Sequence, residues 1–173
     1  MIRAVFPGTF DPIHYGHIDI ARRASLIFDE LILAVYDRPL KYSLFDPHER
    51  LDMVRQTFKD ESKIIVSGYS GLTVNYCRKI DAQVIVRGLR VFSDFEYEFR
   101  MALANHRLAP EIEVVALITA GEHSFLSSST VKEIVALGGD ITSMVPEHVA
   151  EALYARFKDM GEGQQMIPPS FKD

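Results

Sequence analysis

The sequence predicts an α/β protein built on a doubly wound, five-stranded parallel sheet of the Rossmann-like type. Five short runs are apolar and rich in β-branched residues, and they are nearly continuous rather than alternating, as in strands that are covered on both faces. Segments with helical periodicity separate these runs, which indicates parallel strands joined by right-handed crossovers. The 173 residues are enough for a full core without disulfide or metal staples.

The predicted elements alternate along the chain. The strands cover residues 2–6, 31–36, 63–67, 83–86 and 113–118. The helices cover residues 17–28, 47–58, 72–80, 94–108, 130–137 and 147–157. Two helices have start signals, Asp46 with Glu49 and Ser93 with Glu96, because each pair can form a capping box. Gly138 is a typical stop for the fifth helix.

Composition and charge limit the domain organisation and the partners. We expect a single domain over residues 1–158 and a mobile C-terminal tail over residues 159–173, which is rich in Gly, Gln and Pro. The net charge of −5 gives no chain-wide attraction to nucleic acid or to an anionic membrane, so neither is expected as a partner. No apolar run reaches the roughly 18 residues that cross a bilayer, and no signal peptide is evident. With only Cys77, which cannot form an internal disulfide, the chain suits the cytoplasm.

The loops after the strands are the candidate site, because ligands of open α/β sheets bind beyond the carboxyl ends of the strands. The first loop reads PGTFDPIHYGH and ends at His17. Gly8 and Gly16 permit close backbone approach, and Gly16 lies at a helix N-terminus, which favours an anion. His14 and His17 should point the same way across one turn. Turn and capping residues alone, or a zinc site that lacks further ligands, are the alternatives.

Basic residues follow two further strands. Arg38 and Lys41 lie in YDRPLKY, and Arg87 and Arg90 lie in RGLR. All four should share one rim of the sheet, where a guanidinium or an ammonium can bind phosphate, although solvated surface charges would give the same pattern. The GxGxxG and GxxxxGK[ST] loops do not occur, so a nicotinamide or P-loop site has no support.

The loop after the fifth strand is rich in hydroxyl groups. It reads HSFLSSSTVKE, from His123 to Glu133. The hydroxyls of residues 127–130 could simply be N-caps, but together with the first loop they predict a second phosphate site at a helix N-terminus. A nucleoside triphosphate could span the two sites, which follow the first and fifth strands.

PGTFDP…GH, RGLR…DFEYE and SSSTVKE together resemble the phosphopantetheine adenylyltransferase family of the HxGH nucleotidyltransferase superfamily. The resemblance covers residues 2 to about 158 and implies the nucleotidyltransferase fold. It implies transfer of AMP from ATP to 4′-phosphopantetheine, which gives dephospho-coenzyme A and pyrophosphate. It further implies Mg²⁺ bound mainly through the ATP phosphates, no metal ligands from the protein, and a homohexamer.

The resemblance also implies roles for individual residues. His17 would stabilise the transition state, with Lys41 and Arg90 as further catalytic residues. The implied ATP site consists of Thr9, Phe10, His17, Gly88, Leu89, Arg90, Glu98, His123, Ser124, Phe125, Leu126, Ser127, Ser128 and Ser129. The implied acceptor site consists of Thr9, Lys41, Thr73 and Arg87. The chain departs from the family where His14 and Tyr15 replace Thr-Asn, Thr73 replaces an apolar residue and His123 replaces Trp.

Two other functions remain open from the residues. A sibling transferase acting on nicotinate mononucleotide or glycerol 3-phosphate would share the fold, but the RGLR and FEYE segments argue against it. A non-catalytic nucleotide-binding regulator should have lost a phosphate-handling residue, and none is missing here. The attacking phosphate oxygen is already ionised at neutral pH, so the lack of a Ser-His-Asp or Cys-His arrangement agrees with an enzyme.

Overall fold

The fold is a five-stranded, all-parallel sheet with helices on both faces. The computed structural model describes residues 1–37 and 43–161. The strand order is β3-β2-β1-β4-β5. The strands are β1 (Arg3–Gly8), β2 (Glu30–Tyr36), β3 (Ile64–Tyr69), β4 (Val84–Leu89) and β5 (Glu113–Ile118). The predicted fold class and the five predicted strands are confirmed.

Three strands run further than predicted. The predictions ended β1, β3 and β4 where glycine, proline or polar residues replaced the apolar run. In the structure the ladders continue through these residues: Pro7 pairs with Ala34, and Arg87 pairs with Ala116. Part of the first motif and the start of RGLR therefore belong to rigid strand ends rather than to loops.

In residues 1–37 and 43–161, six α-helices connect and flank the strands. They are α1 (Tyr15–Ile27), α2 (Pro47–Thr57), α3 (Thr73–Lys79), α4 (Phe92–Leu108), α5 (Ser128–Ala136) and α6 (Glu147–Gly161). A short 3₁₀ helix, Gly121–His123, precedes α5. Helix α6 continues to Gly161, into the segment expected to be a tail, and the rest of that segment lies outside the described residues. No helix in the described ranges is long and apolar enough to cross a membrane.

Of the two predicted helix N-caps, the one at α2 is confirmed and the one at α4 is wrong. The Asp46–Glu49 capping box is confirmed, with both reciprocal hydrogen bonds at 2.9 Å. The Ser93 cap is wrong, because α4 begins at Phe92 without a side-chain cap. The Asp94 carboxylate instead accepts the backbone N–H of Arg90, at 3.1 Å. A hydrogen bond to a strand-end arginine has thus replaced the local cap.

Strands β1 and β2 are buried on both faces, which explains their continuous apolar runs. The edge strands β3 and β5 are only partly buried in this chain, so the predicted cover on both faces is wrong for them. In β1, Ala4 and Phe6 belong to a core cluster with α1, α2, α5 and α6, whereas Val5 belongs to a second cluster. Cys77 lies in the second cluster, and burial raises the pKa of its thiol to about 11. Helix α4 differs from the other described α-helices because none of its residues is buried in this chain.

The chain reverses its winding between β1 and β4. These strands are neighbours in the sheet, yet β1 is followed by β2 on one side and β4 by β5 on the other. Such a switch point leaves a crevice at the carboxyl ends of the two strands, where ligands of this architecture bind.

Candidate active site

A crevice of about 870 Å³ opens at the switch point. Eleven of the residues expected at the site line it: Thr9, Phe10, His17, Thr73, Arg87, Gly88, Arg90, Glu98, Ser127, Ser128 and Ser129. Five expected residues do not line it: Leu89, His123, Ser124, Phe125 and Leu126. Lys41 lies outside the described residues. The structure therefore brings the ends of β1 and β4, the first turn of α1 and the start of α5 around one space.

The glycines of the first motif make room for the motif's own rings. Phe10 has a positive φ of 49°, and its ring is buried, 5.7 Å from the Phe6 ring and 5.0 Å from the His17 ring. A Cβ at Gly8 would lie 2.9 Å from the Phe10 ring, and a Cβ at Gly16 would lie 3.0 Å from the His14 ring. Protein side chains therefore lie close to these two glycines, and the approach of a phosphate to their backbone stays a prediction.

His14 and His17 form a reciprocal cap at the start of α1. The His14 Nδ1 accepts the Gly16 N–H at 3.1 Å, and the His17 Nδ1 accepts the His14 N–H at 3.3 Å. Their rings stack 3.7 Å apart. Because each Nδ1 accepts a hydrogen bond, each neutral ring carries its proton on Nε2. His17 therefore offers an Nε2–H donor beside the crevice, and the predicted common direction of the two rings is confirmed.

Both histidines are held in the neutral form. Burial is the largest cause that lowers the pKa of His14, and the charges of Arg90 and His123 lower it further, to about 3. Burial is also the largest cause for His17. The charges of His14, Arg90 and Arg87 add to it, and the pKa of His17 lies well below its ordinary value. At neutral pH each ring therefore stays a neutral imidazole with one N–H and does not take up a second proton. Both Nδ1 atoms are engaged in hydrogen bonds. The described ranges contain no group of three acidic, His or Cys side chains that could hold a metal ion. The zinc alternative therefore gains no support.

The two arginines of RGLR are held by carboxylates of α4. Arg87 donates to both oxygens of Glu98, at 2.5 and 2.7 Å, and to the Pro7 carbonyl at 3.1 Å. Arg90 donates to both oxygens of Asp94, at 2.9 and 3.0 Å, and to the Leu126 carbonyl at 2.7 Å. Each guanidinium uses three of its five N–H groups in these bonds. Each arginine therefore remains a cation with N–H groups to spare, but in a fixed position.

The start of α5 combines capping with a place in the crevice wall. The Ser127 Oγ accepts the Thr130 N–H at 3.0 Å, so the capping interpretation is correct for Ser127. The Ser128 hydroxyl donates to the Pro12 carbonyl at 2.8 Å. Because the helix N-terminus itself lines the crevice, it can still attract an anion.

Sequence reasoning missed an ion pair beside the crevice. Asp11 is 5% exposed, and its carboxylate accepts from the Lys132 Nζ at 2.9 Å and from the N–H groups of Leu44 and Phe45 at 3.0 and 2.9 Å. Both charged residues line the crevice and both lie in quoted motifs. Lys132, one helical turn beyond the serines, was the residue that could have indicated this ion pair. It gave no clear signal, because a lysine on a helix is usually solvated.

The chain is similar to proteins of known family and structure. A family model described as cytidylyltransferase-like matches residues 5–134. A solved structure from Vibrio parahaemolyticus, described as a candidate nicotinate-nucleotide adenylyltransferase, has a TM-score of 0.66 and 23% identity over 88% of this chain and 99% of that one. That likeness supports the fold alone. The fold and the matched range define a cytidylyltransferase-like protein.

Sequence relatives narrow this class. A protein of Dictyoglomus turgidum is 51% identical over 91% of this chain and 99% of its own length. One of Carboxydothermus hydrogenoformans is 50% identical over 91% and 98%, respectively. One of Thermomicrobium roseum is 47% identical over 91% and 96%. All three are named phosphopantetheine adenylyltransferase. The chain belongs to the phosphopantetheine adenylyltransferase family.

The neutral histidines make stability depend on pH in a defined direction. The folded pKa of His14 is about 3 against an ordinary value of 6.5, so the unfolded chain binds more protons below about pH 6.5. Stability should therefore fall as the pH drops from about 6.5 towards 3. His14→Thr, which keeps a capping oxygen, should remove up to about 1.4 kcal/mol per pH unit from this slope. Urea unfolding between about pH 5 and 7 measures it.

The matched control is His48→Thr, because His48 is exposed. It should leave the slope unchanged. Equal slopes for wild type and His14→Thr would contradict a neutral, buried His14.

Proposed function

We propose that this chain transfers AMP from ATP to 4′-phosphopantetheine, with dephospho-coenzyme A and pyrophosphate as products. The observation that carries the proposal is about 50% identity, over almost the whole length, to proteins named phosphopantetheine adenylyltransferase. The crevice agrees with it, because cations and N–H donors from three separate loops surround one space. A coenzyme A precursor and ATP are then its substrates.

The reaction needs positioning and charge stabilisation rather than a protein nucleophile. An oxygen of the acceptor phosphate attacks the α-phosphorus of ATP. The bond from that phosphorus to the bridging oxygen breaks, and pyrophosphate leaves with the electron pair. Negative charge grows on the α-phosphate and on the leaving group, so preorganised donors there lower the barrier.

His17 suits the role of transition-state donor. Its ring is neutral, its Nδ1 is occupied by the His14 N–H, and its remaining donor is Nε2–H. A neutral imidazole with a strongly lowered pKa is a poor base. Because the first turn of α1 holds the ring in place, its hydrogen bond can strengthen as charge develops without reorganisation.

The other expected residues divide between the two substrates in this proposal. The ATP site takes Gly88, Leu89, Arg90, Glu98 and residues 123–129. The acceptor site takes Lys41, Thr73 and Arg87, and Thr9 and Phe10 lie at the β1 end of the crevice, with Thr9 shared by both substrates. Arg90 and Lys41 would add positive charge near the reacting phosphates. Glu98, whose carboxylate binds Arg87, acts in this arrangement by fixing that guanidinium.

Mg²⁺ would enter with ATP. The crevice carboxylates Asp11, Asp94 and Glu98 are already paired with Lys132, Arg90 and Arg87. The triphosphate oxygens, rather than a protein cage, therefore supply the ligands that Mg²⁺ prefers. The ion would neutralise charge on the phosphates.

A panel of acceptors tests the function. The protein is incubated with ATP or CTP, Mg²⁺, and 4′-phosphopantetheine, nicotinate mononucleotide or glycerol 3-phosphate, and pyrophosphate release is followed. The fastest release should occur with ATP and 4′-phosphopantetheine. Faster release with either of the other acceptors would overturn the proposal, and ATP binding without release in any arm would favour a regulator.

Substitutions of His17 test its role as a donor. His17→Ala should bind ATP within a few fold of wild type, while turnover falls by about 10²–10³, the typical loss for one preorganised donor. His17→Gln should recover part of the rate and His17→Asn less, because only the longer amide can place an N–H near the position of Nε2. Calorimetric titration with ATP and steady-state rates separate affinity from turnover.

His14→Thr is the matched control for that series, since it keeps the backbone N–H that fixes the His17 ring. It should lose much less activity. A covalent adenylyl-histidine formed from ATP alone, or near-normal turnover of His17→Ala, would contradict the donor role.

The proposal includes a homohexamer in the cytoplasm. Helix α4 supports self-association, because Phe92, Phe95 and Phe99 form an exposed stripe with rings 6.3 and 5.8 Å apart. An apolar patch of this kind is typical of a protein interface. The cytoplasmic location rests on the single cysteine and the expected biosynthetic role.

A charge in the stripe tests the assembly. Phe95→Glu should lower the mass measured by light scattering from six chains to fewer, because burying a carboxylate in an apolar interface is unfavourable. Leu137→Glu, at a residue that is 81% exposed outside the stripe, is the control and should leave the mass unchanged. An intact hexamer in Phe95→Glu would place the interface elsewhere.

A further inference from the structure

The largest fully buried side chain in the described part of the protein is a cation, Arg50 of α2. It is 0% exposed and does not line the crevice. Its Nη1 donates to the carbonyl oxygens of Thr9 and Tyr36, at 2.7 and 2.9 Å, and its Nε donates to that of Phe45, at 3.2 Å. Among the described residues its Nη2 has no hydrogen-bond partner.

Such a residue is unfavourable if stability is the only consideration. No described carboxylate lies within ion-pair distance of Arg50, so three carbonyl dipoles provide its contacts. Burial lowers the pKa of its guanidinium, and Asp11, Asp37 and Asp46 act in the opposite direction. Apolar residues of similar volume often replace buried charges without loss of stability. A requirement for position explains its presence better.

Two of the three carbonyls belong to residues that line the crevice. Thr9 follows β1 and lines the crevice, and Tyr36 ends β2 and lines it as well. Phe45 belongs to the entry to α2, where the Asp11 carboxylate accepts its N–H. The guanidinium fork therefore joins the ends of β1 and β2 through Nη1 and the entry to α2 through Nε. The fixed separation of these two nitrogens sets the β1 and β2 ends relative to α2, which the single nitrogen of an ammonium group could not do.

We infer that Arg50 is a positioning residue of the active site, which holds Thr9 in register with the end of β2. The inference rests on the proposed function, in which Thr9 lies where the two substrates meet. A positioning residue acts on the relative orientation of bound substrates. Its loss therefore lowers turnover more than affinity, because a small misplacement of reacting groups costs rate.

The test uses Arg50→Lys, which keeps the charge but not the fork, and Arg50→Met, which keeps the volume but not the charge. AMP transfer to 4′-phosphopantetheine is measured with the full-length protein. In both variants kcat should fall about 10- to 100-fold, while the KM values for ATP and acceptor change by no more than a few fold. Arg55→Lys, an exposed arginine of the same helix, is the control and should match wild type.

A double-mutant cycle separates positioning from a general structural role. In a Thr9→Ala background, Arg50→Lys should cost much less than in wild type, because the side chain that it positions is gone. In a Ser129→Ala background on the far wall, its cost should be unchanged. Circular dichroism and ATP titration verify that each variant is folded.

Additive losses in the Thr9 cycle would overturn the inference, as would a rise in both KM values at unchanged kcat. If neither Arg50 variant folds, Arg50 is a stability residue and the inference is wrong. A wild-type protein without transfer activity would instead overturn the proposed function. The two failures are therefore distinguishable.

Discussion

The crevice depends on one buried carboxylate, that of Asp11. It joins the turn after β1 to the entry of α2 and to α5, through two backbone N–H groups and the Lys132 ammonium. A buried charge of this kind is stable only when its partners stay in place. Arg50 completes the arrangement with the opposite charge, because it binds the carbonyl of Phe45 while Asp11 binds that residue's N–H. The shape of the site is therefore fixed by charges that the substrates do not need to touch.

The fold was predictable because its signals are local. Continuous apolar strands, helical periodicity and the Asp46–Glu49 box identified the parallel sheet, and the motifs at the strand ends identified the rim where the crevice lies. Strand ends were less predictable, since Pro7 and Arg87 continue ladders that their residue types alone would have ended. The Ser93 cap failed because the Asp94 carboxylate, rather than the Ser93 hydroxyl, accepts the local backbone N–H, that of Arg90 four residues earlier.

Partners within the site could not be predicted, because residue type and spacing do not show which donor a carboxylate or a ring nitrogen will meet. The sequence predicted Arg87 and Arg90 as phosphate-binding cations but gave no sign that α4 supplies a carboxylate to each. It showed two histidines in one turn, but not that backbone N–H groups would select their tautomers. The crevice thus contains its own counterions. An incoming polyanion meets fixed N–H groups at low net charge, which favours orientation over simple attraction.

The position of Cys77 has a consequence for redox chemistry. The proposed acceptor ends in a thiol, and this chain contains a single cysteine. That cysteine is fully buried, and burial raises its pKa to about 11, so its sulfur stays protonated and out of reach. Thiol–disulfide exchange proceeds through an accessible thiolate. The protein can therefore hold a thiol-bearing substrate without forming a mixed disulfide with it, even where oxidants convert other thiols.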